Sequence, residues 1–163
     1  EINYIHTAIL QTEGDSVWVI DATLRHGVDR HPLDTFLRDF TLDDGSLPRL
    51  DVMRGKDNSL REKWIEKALE YVGEEYDPAF LPGNGAHYCT ELVYDSFLDK
   101  DGNNIFTAKP MNFKASDGTF PPYWVKLFRL IGHDIPQGIP GTNPQDMAKD
   151  PVLVKVEYDI ARR

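Results

Sequence analysis

Apolar and polar positions near the start of the chain fall into two short β-type stretches. Residues 4–10 and 17–23 are rich in Ile, Val, Trp, Tyr and Thr, and Glu13-Gly14-Asp15-Ser16 between them carries turn chemistry, so a β-hairpin is predicted. If Glu13-Gly14 forms the turn, His6 lies opposite Asp21. If Gly14-Asp15 forms it, the two are diagonal neighbours on one face, and only a three-residue turn separates them. Further on, 31–37 reads as a short helix and 50–54 as a strand. Ser59-Leu60-Arg61-Glu62 has the form of a capping box. Leu60, Trp64, Ile65, Ala68, Leu69 and Val72 then recur at helical spacing up to Gly73, a stop signal. After a Pro- and Gly-bearing loop over 77–87, the segment 89–98 places Leu92, Val93 and Phe97 on one helical face, with Cys89 at the helix start. From Phe106 onward prolines and glycines are frequent, around a helical patch at 123–131 and a last alternating strand at 152–156. Strands early and late with helices between them imply an α+β fold, a small antiparallel β-sheet or open barrel packed against a helix.

The 163 residues suit one domain, 1–163, and 40% hydrophobic content with three Trp, seven Tyr and eight Phe is enough for one sizeable core. A formal charge of −9, with no basic run interleaved with aromatics, argues against a nucleic-acid partner. No apolar run approaches the roughly 20 residues of a membrane span. With a single cysteine, an intrachain disulfide and the clustered-cysteine zinc patterns are excluded.

The chemistry that the pattern suggests centres on Cys89. A thiol at a helix N-terminus meets unpaired backbone N–H groups and the positive end of the helix dipole, which stabilise a thiolate and later an oxyanion. His6 and Asp21 on one sheet face have the residue types of a general base and its orienting partner. Residue type and spacing alone more often mean a small buried Cys and a structural His–Asp pair.

His87-Tyr88-Cys89-Thr90-Glu91-Leu92-Val93, taken with Ile5-His6-Thr7-Ala8-Ile9 and Val19-Ile20-Asp21-Ala22, resembles the permuted papain-like amidases of the NlpC superfamily, the YiiX-like group, in which the His strand precedes the Cys helix. Glu75-Tyr76-Asp77-Pro78 is similar to the family's approach to the cysteine helix, and Pro140-Gly141-Thr142-Asn143-Pro144 to its late loop, so the resemblance spans most of the chain. It implies a papain-like permuted topology, Cys89 as nucleophile, His6 as base, and Asp21 as orienting residue where the family pattern most often has Glu. It also implies Tyr76, Tyr88 and Glu91 along the substrate cleft, and a reaction without cofactor or metal. The family's usual opening, a Gly-Asp-x-x-Phe-like strand and a helix, is missing before His6, so an N-terminal segment of the domain is expected to lie outside the sequence.

Other motifs are discounted. His26 and His31, with Asp29 or Asp34, match no zinc spacing and read as a solvated loop, and His87 reads as a loop histidine beside the site. Asp99 to Asn104 alternates oxygen ligands but lacks the Gly and Glu positions of a calcium loop, and reads as a turn. There is no phosphate loop and no Gly-x-Ser-x-Gly elbow. The expected function is a cysteine amidase or peptidase acting on a peptide-like amide, of cell-wall origin by family resemblance. The alternatives are a thioesterase or acyltransferase on an acyl-lipid substrate, with 106–123 as groove wall or core cover, and a non-catalytic envelope-ligand module. A bacterial extracytoplasmic location goes with the first.

Overall fold

The structure, a computed structural model, describes residues 3–158 and 160. The predicted hairpin forms, as β1 (Ile9–Glu13) and β2 (Ser16–Thr23), antiparallel with Ile9 opposite Ile20 and Glu13 opposite Ser16. Gly14 at φ 60° therefore opens a two-residue Gly14-Asp15 turn, the arrangement that suits the twist of the strands. The ladder starts later than the sequence suggests. Tyr4 bonds elsewhere, its amide donating to Gln145 Oε1 at 3.1 Å and its hydroxyl donating to Asp51.

A third strand follows where the sequence reads as a polar loop. After the Leu24-Arg25-His26 turn, Gly27 at φ 65° begins β3 (Gly27–Pro32), which pairs antiparallel with β2, Asp21 opposite Asp29 and Val19 opposite His31. The expectation that His31 is a solvated loop residue is corrected here: it is 6% exposed. Gly27 packs so tightly that a Cβ on it would lie 2.4 Å from the Glu74 carbonyl oxygen. Beside it Gly73 donates to Val28 O, and Val28 in turn donates to Glu74 O, both at 2.9 Å.

The central strand is covered on both sides, so Val19, Ile20, Asp21 and Ala22 are all buried. On one side Val19 packs with Leu33 and Phe36 of α1 (Leu33–Asp39). On the other, Ile9, Ile20, Ala22 and Val28 pack with Ala68 of α2 (Arg61–Glu70) and with Leu92 and Val93 of α3 (Cys89–Ser96). Trp64 ties the two helices together, stacking on Phe97 at 4.6 Å and donating its indole N–H to Leu98 O at 2.8 Å. The capping box is not formed. Helix α2 starts with Leu60 as N-cap, and Ser59 instead donates through both its amide and its hydroxyl to Asp57 Oδ1, an alternative local bond that Ser and Asp side chains offer.

The remaining strands are short. β4 (Val52–Gly55) pairs with β9 (Leu153–Val156). β5 (Glu75–Tyr76) runs parallel to β6 (Ala86–His87), and β7 (Lys109–Pro110) pairs with β8 (Pro140–Gly141). α4 (Pro122–Ile131) opens on a proline and stops at Gly132 in the left-handed conformation. α5 (Pro144–Ala148) is capped by Asn143, whose side chain accepts from the Asp146 amide. Among the described residues the fold is mixed α and β, with small sheets, five helices and no closed barrel. The segment 106–123 covers core: Phe106 is 4% exposed, and Phe113 packs edge-on to Trp124 and Phe128 of α4. Asp99 to Asn104 is a turn, with Asp99 Oδ1 accepting the Asp101 and Asn103 amides.

Candidate active site

His6, Asp21 and Cys89 come together. The ladder begins at Ile9 opposite Ile20, and the stretch just before it brings His6 to Asp21 of β2. His6 Nε2 lies 2.8 Å from Asp21 Oδ2, and Cys89 interacts with the same imidazole. With Nε2 committed to the carboxylate, Nδ1 is the nitrogen left for sulfur. Phe40 stacks on the His6 ring at 4.8 Å, with Phe36 behind it at 6.3 Å, which fixes the ring plane.

The electrostatics follow from this packing. Burial by itself lowers the His6 value, but the hydrogen bond to Asp21 and the interaction with Cys89 outweigh it and hold His6 at about 9. His6 is thus an imidazolium at neutral pH. Cys89 is 8% exposed and occupies the first position of α3, whose N-cap, Tyr88, makes no side-chain capping bond. The first amides of the helix are left open for a ligand, as unpaired helix N-termini are.

A second histidine, passed over in the sequence, belongs to this cluster. His31 Nδ1 is 3.1 Å from Asp29 Oδ2, and its Nε2 is 3.5 Å from Asp21 Oδ1, which has no hydrogen-bond partner. The distance is long for a hydrogen bond, so His31 acts on Asp21 chiefly as a polar neighbour. The period-two pattern of a second hairpin would have revealed it, since Asp21, Asp29 and His31 share a face once Gly27 is recognised as the residue that closes the turn. A cleft of about 270 Å³ opens beside Asp21, lined by Thr23, Leu24, Arg25, His26, His31, Asp39 and Phe40. His26 stays at the surface, paired with Asp39 at 3.0 Å.

The three expected cleft residues lie around α3. Tyr76, on β5, is half-buried, and burial followed by the nearness of Cys89 raises its phenol. Tyr88 is buried, its ring edge-on to Phe80 at 5.2 Å and its hydroxyl accepting the Thr142 amide at 3.1 Å. Thr142 also bonds Thr90 through their hydroxyls at 2.9 Å, so the Pro140–Gly141 strand is strapped to the start of α3. Glu91 is 5% exposed; burial first, then Asp95, Asp77 and Glu74 push its carboxyl up to about 8 against the opposing effect of His87. Tyr88 and Glu91 line a separate cavity of about 50 Å³ that Cys89 does not line.

His87 departs from the expected loop histidine. It is in β6, 5% exposed, with Nδ1 2.6 Å from Glu74 Oε2 and Nε2 3.0 Å from Asp95 Oδ2, because the parallel β5–β6 pairing pulls it inward. Among the described residues, His87, Glu91 and Asp95 are the side chains grouped closely enough to hold a metal ion.

Comparison with known proteins agrees with this arrangement. The crystal structure of the metalloprotein yiiX from Escherichia coli O157:H7 has a TM-score of 0.72 to this chain at 23% identity, covering 96% of this chain and 83% of that one, a likeness of fold. No curated protein matches. A family model described as permuted papain-like amidase enzyme, YaeF/YiiX, C92 family, matches residues 2–157. A His-first, Cys-second order on a fold of this kind, matched over nearly the whole sequence, makes the chain a member of the permuted papain-like amidases, hydrolases of the YaeF/YiiX family.

Proposed function

We propose that the chain is a cysteine amidase that cleaves a peptide-like amide, with Cys89 as nucleophile, His6 as general acid–base and Asp21 as the orienting carboxylate. The observation that carries this reading is His6 held between Asp21, at 2.8 Å, and Cys89 at the first turn of α3. In the resting pair His6 already holds the proton drawn from Cys89, and the thiolate attacks the amide carbonyl. The open amides at the start of α3 hold the oxyanion. His6, at about 9, retains the proton at neutral pH and delivers it to the departing amine as the C–N bond breaks. Water then attacks the thioester, giving its proton to His6, and the C–S bond breaks to restore the thiolate and the His6 imidazolium as the acid product leaves. Asp21 keeps Nε2 engaged throughout, so that Nδ1 faces the reacting atoms.

A peptide of cell-wall origin and an extracytoplasmic setting belong to the same proposal, by family resemblance.

The test is iodoacetamide alkylation of Cys89 across pH in the intact chain and in His6→Ala, followed by a screen of peptide amides and acyl lipids. Rapid alkylation at neutral pH that slows at least tenfold without His6, together with amide turnover lost in Cys89→Ser, supports the reading. A slow thiol indifferent to His6 overturns it, and turnover of acyl lipids alone replaces amidase with acyl transfer.

A further inference from the structure

We propose that His87, Glu91 and Asp95 form a binding site for one divalent first-row transition ion of the zinc type, on the flank of α3. Glu91 and Asp95 are one helical turn apart on α3, and His87 stands one turn before Glu91 at the end of β6, so the three project together. One donor atom from each lies within 4.8 Å of the other two. In a tetrahedral site with metal–ligand bonds of about 2.0–2.1 Å, donors are about 3.4 Å apart. His87 Nε2 and Asp95 Oδ2, now ion-paired at 3.0 Å, would part slightly to reach this spacing, and Glu91 closes on them by side-chain rotation.

Three independent features point to a ligand. Glu91 is 5% exposed, yet its Oε1 has no hydrogen-bond partner, in a setting where buried polar atoms nearly always have one. His87 Nδ1 lies 2.6 Å from Glu74 Oε2, which holds the ring with Nε2 facing Asp95, the outer support that metal-binding histidines commonly have, and an ion bound at Nε2 takes the place of the proton shared with Asp95. Beside the carboxylates, the cavity of about 50 Å³ lined by Glu91, Asp95, Tyr88 and Thr142 has room for a water to complete the coordination. The imidazole selects a transition ion over magnesium or calcium, which favour all-oxygen sites. Cys89 is outside the donor set, so the inference is independent of the amidase reading.

The experiment titrates Zn²⁺ into chelator-dialysed chain by calorimetry near pH 7, with thermal unfolding in parallel. The expected result is one bound equivalent and a raised Tm, an affinity at least tenfold weaker in Glu91→Gln and in Asp95→Asn, a smaller loss in Glu74→Gln, and unchanged stoichiometry in Cys89→Ser and His6→Ala. Should Glu91→Gln fail to fold by circular dichroism, Asp95→Asn, whose side chain is 33% exposed, carries the test. No saturable binding to the folded chain overturns the proposal. So does binding that Asp95→Asn leaves intact, or binding that disappears with Cys89 or His6.

Discussion

The charge state of His6 makes folding stability depend on alkaline pH in a way that one substitution isolates. The ring titrates at about 9 in the folded chain against 6.5 for an ordinary imidazole. That difference corresponds to about 3 kcal/mol of stability, since each tenfold change in proton affinity is worth about 1.4 kcal/mol. The sign follows from proton uptake: between 6.5 and 9 the folded chain holds a proton that the unfolded chain has lost. The stabilisation is therefore complete below pH 6.5, declines as pH rises, and is gone above about 9. His6→Gln removes this contribution but retains the others that titrate in the same window, including Glu91 with its carboxyl at about 8, which cancels in the comparison. Urea unfolding followed by circular dichroism at pH 6 and pH 10 should show the parent chain losing about 2–3 kcal/mol more than His6→Gln. Parallel stability curves for the two proteins would refute the buried imidazolium, and with it the claim that Asp21 and Cys89 outweigh burial at this ring.

Four further outcomes follow from the same structure. Asp21→Asn keeps the shape but cannot stabilise the imidazolium, and amide turnover should fall by about 10² to 10⁴ in kcat/KM with the fold intact by circular dichroism. His31→Ala removes the polar neighbour of the unpartnered Asp21 Oδ1, and chemical denaturation should register a loss of about 1–3 kcal/mol. Gly27→Ala would place a Cβ 2.4 Å from the Glu74 carbonyl at a positive φ, so it should destabilise by at least about 2 kcal/mol and slow Cys89 alkylation, because the 73–87 segment that leads into α3 is displaced. In Leu92→Ala, loss of a side chain with no exposed surface should cost about 2–5 kcal/mol in urea unfolding.

Local chemistry determined much of this protein. Turn residues at Gly14-Asp15 and β-branched runs on either side specify the first hairpin. Helical spacing marks α2, α3 and α4, and therefore Cys89 as the first residue of a helix. These features depend on period and turn type, which are properties of short windows. The order of motifs along the chain carried the family resemblance. What the tertiary structure alone decided depends on residues far apart in sequence. The Leu24 to Gly27 turn reads as polar loop because its strand faces the site instead of solvent, and only pairing with β2 turns His31 inward toward Asp21. The capping box over 59–62 is locally plausible but loses to Asp57, which competes for the Ser59 hydroxyl. His87 reads as a loop residue until the β5–β6 pairing, spanning eleven residues, brings it against Glu74 and Asp95. Burial of Glu91 and the interaction of Cys89 with His6, more than eighty residues apart, likewise arise from how helix and sheet pack, because desolvation and ion pairing are set by the whole surroundings of a group and not by its neighbours along the chain.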